Sequence, residues 1–135
     1  MRITQTAYDP RPLIGRLWVF AMFNYLYADV IGLMDRRLLQ QYLRGEVDSL
    51  HITPGFLFAA AVLMELPIAM TLLTQVLPAR AGRWSNIAVG ALKTCAVAAT
   101  FCVGSLTAYY VFFSLIEIAT TLFIVVLAWR WRGPR

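Results

Sequence analysis

Charge is scarce in this sequence. Only 14% of its 135 residues are Asp, Glu, Lys or Arg, where a soluble domain carries about 25%. Sixty per cent of the chain is apolar, and so short a chain has no interior large enough to hide that much surface from water. Lipid or a partner must take it up. Histidine occurs once, at His51, and cysteine twice, at Cys95 and Cys102. That supply spells no metal-ligand cluster, so no metal or other cofactor is expected. The two cysteines stand two helical turns apart in one apolar run, too far to bridge, and read as small apolar packers. A Gly-rich phosphate loop and a Ser–His pairing for nucleophilic catalysis are both missing. The formal net charge of +5 does not point to nucleic acid. Its carriers are almost all arginines set between long apolar runs, a placement suited to lipid headgroups.

What the sequence does contain is four long apolar runs, at about residues 13–34, 54–77, 86–103 and 106–129. Each is close to the ~20 residues that cross ~30 Å of hydrocarbon as an α-helix. The expected fold is all-α: a single-domain integral membrane protein, an antiparallel four-helix bundle. The first run follows a polar segment and continues past Tyr25 without a small-residue cleavage site, so it reads as a retained span. Local punctuation supports these limits. Thr53-Pro54 is a helix start, Pro78 closes the second span, and Gly104-Ser105 separates the third from the fourth. Between the first two spans, Asp35 is expected to cap a short amphipathic helix from Arg36 to Arg44, ended by Gly45. Leu38, Leu39, Tyr42 and Leu43 would then lie on the membrane surface.

Asp29, Glu65, Lys93 and Glu117 lie well inside the spans, one in each, while Arg16 stands near the start of the first. Such residues cost about 2.5–3.5 kcal/mol at a helix centre and usually face a protein interior or a watery cavity. Glu65 and Glu117 both lie eleven residues into their spans, roughly 16 Å deep at 1.5 Å per residue and therefore at one level near the midplane. Thr107, Tyr110, Ser114, Glu117 and Thr121 recur at helical spacing and form one polar stripe, expected to face the bundle centre. Asn86, Gly90, Lys93 and Thr100 share a face of the third span. Ala61 and Ala69 flank Glu65 one turn away on either side. Pro67 removes a backbone hydrogen bond nearby, which frees a carbonyl. Asn24 and Asp29 are about 140° apart in projection, so both cannot point straight inward.

The segments Asn24 to Val30, Ile52 to Leu57, Met64 to Met70, Arg83 to Ile87 and Phe112 to Ile118 resemble those of an uncharacterised family of small bacterial four-helix membrane proteins. The resemblance implies a multi-pass protein of the bacterial inner membrane and carries no activity to any residue.

The residues themselves support three functional expectations. The first is a buried site for a lipophilic or cationic small molecule, lined by Glu65, Glu117, Tyr110, Ser114, Asn24, Asp29 and Lys93. It would serve a proton-coupled carrier or a receptor, with a homo-oligomer expected because four helices make a small transporter. The second is a membrane-embedded isomerase or cyclase, with Glu65 and Glu117 as general acid and base on a lipid-soluble substrate. The third is an accessory subunit whose polar stripe packs against another protein.

Arginine asymmetry sets the orientation. Eight arginines (Arg2, Arg11, Arg16, Arg80, Arg83, Arg130, Arg132, Arg135) fall on the side of the termini, and three (Arg36, Arg37, Arg44) on the other. The positive-inside rule then places both termini in the cytoplasm, where Trp18, Trp84, Trp129 and Trp131 would form an interfacial belt. Alkaline phosphatase fused at either terminus should be inactive, and phosphatase inserted in the 45–52 loop active; the opposite pattern would reverse the topology.

Overall fold

The computed structural model describes residues 8–131 except 104 and 105. Its elements run α1 (Arg11–Met34), α2 (Arg36–Arg44), β1 (Glu46–Val47), β2 (Leu50–His51), α3 (Pro54–Val76), α4 (Ala79–Val103) and α5 (Ala108–Arg130). Helices α1, α3, α4 and α5 are each long and apolar enough to cross a membrane. The protein is an integral membrane four-helix bundle with a short amphipathic helix between its first two spans.

Capping sets both ends of α2 and the start of α3. Asp35 accepts hydrogen bonds from the N–H groups of Arg37 and Leu38 and so starts α2. Gly45, at φ 75°, ends it in the left-handed conformation that glycine adopts without steric cost. Thr53 Oγ1 accepts from the Phe56 N–H at the start of α3, with Pro54 at the first helical position. Two features differ from the sequence reading. Helix α4 begins at Ala79, not near residue 86, because a helix can start directly after Pro78 and tolerates Arg80 and Arg83 in its first turns beyond the hydrocarbon. Residues 46–51 form a small antiparallel hairpin pairing Glu46 with His51 and Val47 with Leu50. The expected break at Gly104-Ser105 lies outside the described residues, as do Arg2, Arg132 and Arg135.

The four spans form a square. Helix α1 packs against α3 and α5, and α4 against α5 and α3, so α1 faces α4 and α3 faces α5 across the middle. At Gly90 helix α4 comes close to α5: a Cβ there would stand 2.7 Å from Val125 Cγ2 and 3.4 Å from the Thr121 carbonyl oxygen. Only a glycine lets the two backbones come this near.

At the end of the bundle that carries the termini, the middle is filled. Ile14, Trp18, Met70, Ile124, Ala128 and Trp131 make a buried apolar cluster. Next to it lies a polar knot. Trp18 Nε1 donates to Asn86 Oδ1 at 2.7 Å, Thr74 Oγ1 donates to the same oxygen at 3.1 Å, and Asn86 Nδ2 donates to the Gly82 carbonyl at 2.8 Å. Three helices are thereby joined through one fully buried amide. Trp18 and Trp131 are therefore core residues, which corrects the reading of all four tryptophans as a surface belt. Trp84 and Trp129 are exposed, meet edge to face at 6.4 Å, and flank the Arg83 guanidinium at 5.7 and 5.6 Å. Their exposure is what an interfacial position would require. The reason is reach: Trp18 lies two turns inside α1, on the face turned to Asn86.

Asn86→Leu preserves approximate volume but leaves the Trp18 N–H and Thr74 hydroxyl without their acceptor. Interhelical hydrogen bonds in membranes contribute about 0.6–2 kcal/mol each, so the variant should lose roughly 1–3 kcal/mol. Unfolding in mixed detergent micelles measures it, and unchanged stability would remove Asn86 from this role.

Candidate functional site

In the other half of the bundle the middle is open. A cavity of about 150 Å³ lies among Tyr25, Ala28 and Asp29 of α1, Leu63 and Met64 of α3, Lys93, Ala96, Val97 and Thr100 of α4, and Tyr110 and Glu117 of α5. The positions recur at three, four or seven residues within α1, α4 and α5. One stripe of each of these helices thus faces the same space. Its wall is mostly apolar, and Asp29, Lys93 and Glu117 bring charge to it.

Lys93 is the most enclosed of them. It is 2% exposed, its ammonium stands 4.0 Å from the centroid of the Tyr25 ring, and Nζ lies 3.5 Å from Met64 Sδ. The cation rests on a ring face and a soft sulfur, both favourable and both weaker than a carboxylate. Lys93 therefore does not snorkel to the headgroups. Glu117 is 5% exposed and faces the same cavity. No carboxylate lies within 4.0 Å of Lys93 among the described residues, so Lys93, Glu117 and Asp29 act on one another through space across the cavity. The Tyr25 hydroxyl is buried without a hydrogen-bond partner. Toward the α2 end, Tyr110 donates a short hydrogen bond to Thr100 Oγ1. On the opposite side of Glu117, Thr94 and Thr121 hydroxyls pair at 2.7 Å and close the space toward the polar knot.

Helix α2 lies over this end of the bundle. Leu38 packs near Gly32, and Tyr109 Oη reaches toward Asp35. The Tyr42 hydroxyl is pushed above the usual phenol range, first by desolvation and then by the nearby Asp29 carboxylate. The amphipathic helix therefore sits beside the cavity's Asp29 rim.

The seven residues expected at a site divide as follows. Glu117, Lys93, Asp29 and Tyr110 are brought together, with Asp29 exposed at the rim. Ser114 is buried in the bundle but does not line the cavity. Asn24 turns its amide back to the Phe20 carbonyl at 2.9 Å and is not in the wall. Glu65 is exposed on the far side of α3, opposite the buried Pro67, Met70 and Thr74. Its shared depth with Glu117 does not make it a neighbour, because depth fixes position along a helix and leaves rotation about the axis open. Pro67 does act on the site: it withholds the N–H that would bind the Leu63 carbonyl, and Leu63 is in the cavity wall. Tyr25 and Met64, the two groups touching Lys93, were not singled out from the sequence. The i, i+4 spacing of Tyr25 and Asp29 was the available signal. Cys95 and Cys102 are both exposed on the outside of α4, so they do not pack in the core. No group of three metal-binding side chains occurs among the described residues.

A buried cation separated from its carboxylates makes each charge depend on the others. Removing one partner of a buried pair costs about 3–5 kcal/mol, whereas replacing both by neutral groups is often near neutral. Lys93→Met should therefore destabilise the protein, and the double variant Lys93→Met/Glu117→Gln should recover most of the loss. Detergent-unfolding midpoints of the two single variants and the double variant test this; strictly additive effects would show the two charges to be uncoupled.

Comparison with known proteins adds a family without an activity. No curated protein and no solved structure matches the chain. Residues 1–135 match in full a family of unknown function, DUF6326. With four membrane-crossing helices and a match over its whole length, the chain belongs to that family.

Proposed function

We propose that this protein is a proton-coupled carrier for a small lipophilic amine, which binds between Glu117, Asp29 and Lys93. The observation that carries the reading is a charge count inside one cavity. Two carboxylates and one ammonium face or rim the same space, so the fully ionised site has one negative charge to spare. In a low-dielectric surrounding that excess is costly, and either a proton or a monovalent cation relieves it. Occupation by an amine and by a proton are then mutually exclusive, which is the requirement for exchanging one for the other. The Tyr25 and Tyr110 rings suit an ammonium group. Leu63, Met64, Ala96 and Val97 suit its hydrocarbon part. Drug-sized ligands occupy roughly 300–1,000 Å³, so about 150 Å³ favours a small amine, or the amine end of a longer molecule whose tail leaves through the open side.

The cavity is stopped toward the termini by Trp18, Asn86, Thr74 and Ile124. Closure toward the termini fits one of the two states that alternating access requires. Eight arginines at the terminus end against three at the other support an orientation with the closed side toward the cytoplasm, and the resemblance to small bacterial membrane proteins suggests the bacterial inner membrane as its setting. The enzyme alternative would need its acid and base on one substrate, and Glu65 lies outside the cavity that Glu117 lines. The accessory-subunit alternative would need the polar stripe outside, and Ser114, Glu117 and Thr121 are buried.

Benzylamine titrated into the purified protein by calorimetry tests the proposal. Binding should release about one proton, read from the dependence of the heat on buffer ionisation. Losing one ion-pair partner costs more than about 1.4 kcal/mol, so Glu117→Gln should weaken binding at least tenfold. In proteoliposomes, an outward benzylamine gradient should acidify the lumen. Equal affinity for wild type and Glu117→Gln, or binding without proton release, would overturn the reading.

A further inference from the structure

Glu65 is the twelfth of the 23 residues of α3 and stands at mid-span, yet it is exposed. Among the described residues it is the charged side chain left facing outward at the centre of a span: Lys93 and Glu117 are buried, Asp29 rims the cavity, and Arg16 lies near the end of α1. A carboxyl at that depth cannot reach the headgroups, and lipid tails neither donate to it nor accept from it. Its helix is also the least covered of the four. Only 11% of the apolar window of α3 is buried, against 22–33% for the others. The face around Glu65 comprises Phe58, Ala61, Val62, Ile68 and Leu72, all exposed, with half-buried Ala69 one turn further on. Ala61 and Ala69 stand one turn either side of the carboxyl. Small residues there let a second helix approach closely.

We propose that this face is a homodimer interface, in which Glu65 of each protomer hydrogen-bonds to Glu65 of the other across a twofold axis along the membrane normal. Such an axis brings a residue at the centre of the contact against its own copy and at the same depth. A carboxyl group suits that arrangement because in its protonated form it both donates and accepts. Two copies sharing one or two protons therefore satisfy each other. A different protein would have to bring a basic or donor group to the same level. A second copy brings a matching one by symmetry. The contact uses the side of α3 opposite the cavity wall, so each protomer keeps its own site.

Counting of photobleaching steps in liposomes at low protein density tests the interface. Wild type should be dimeric. Glu65→Gln, whose amide also donates and accepts, should stay within about threefold of it. Glu65→Leu and Ala61→Phe should each weaken dimerisation at least tenfold. Helical circular dichroism and the Lys93–Glu117 coupling energy serve as folding controls that do not depend on amine binding. A monomeric wild type overturns the proposal, as does dimerisation of both Glu65→Leu and Ala61→Phe at wild-type strength. So does a Glu65-dependent complex with another chain in place of the dimer.

Discussion

Lys93 and Glu117 lie within membrane-crossing helices with almost none of their surface outside the protein, and much of the bundle follows from that placement. Hydrocarbon supplies no counter-charge and no hydrogen bond, so each group must find its compensation among side chains. Lys93 finds an aromatic face and a thioether, with two carboxylates acting at longer range. This compensation is incomplete. A fully satisfied ion pair would be inert, whereas charges held apart across a space leave room for a ligand to complete them.

Keeping that space open demands rigidity elsewhere. The half of the bundle near the termini supplies it through two kinds of contact. Trp18, Met70, Ile124 and Trp131 fill the middle, and Asn86 ties α1, α3 and α4 at one point. Gly90 lets α4 approach α5 closely three residues before Lys93, which lines the same cavity as Glu117. The square arrangement matters as well. Because α1 and α4 meet only across the diagonal, side chains as long as Trp18 and Lys93 are needed to bridge them. Where such bridges stop, the cavity begins.

The number and order of the spans, the cap at Asp35, the stop at Gly45 and the start at Thr53-Pro54 were legible from the residues alone. Hydropathy and capping are local properties, and a helix in lipid makes all its backbone hydrogen bonds within itself. The inward turn of the α5 stripe was legible for the same reason, since Ser114, Glu117 and Thr121 share a face that lipid rejects. The start of α4 was not, because Arg80 and Arg83 lower the hydropathy of a segment that is nevertheless helical. Trp18 looked interfacial by its position along the chain and is buried by its direction. Neither Tyr25 nor Met64 carries a charge to mark it, although both hold Lys93.

Glu65 and Glu117 make the division clearest. The sequence by itself determined that two glutamates occupy mid-span positions of helices running in the same direction, because rise per residue converts position into depth. Only the tertiary structure decided that one faces the cavity and the other faces away. The rotation of a helix about its axis is set by what it packs against. Pro67, Met70 and Thr74 claim the inner face of α3, and their burial turns Glu65 outward.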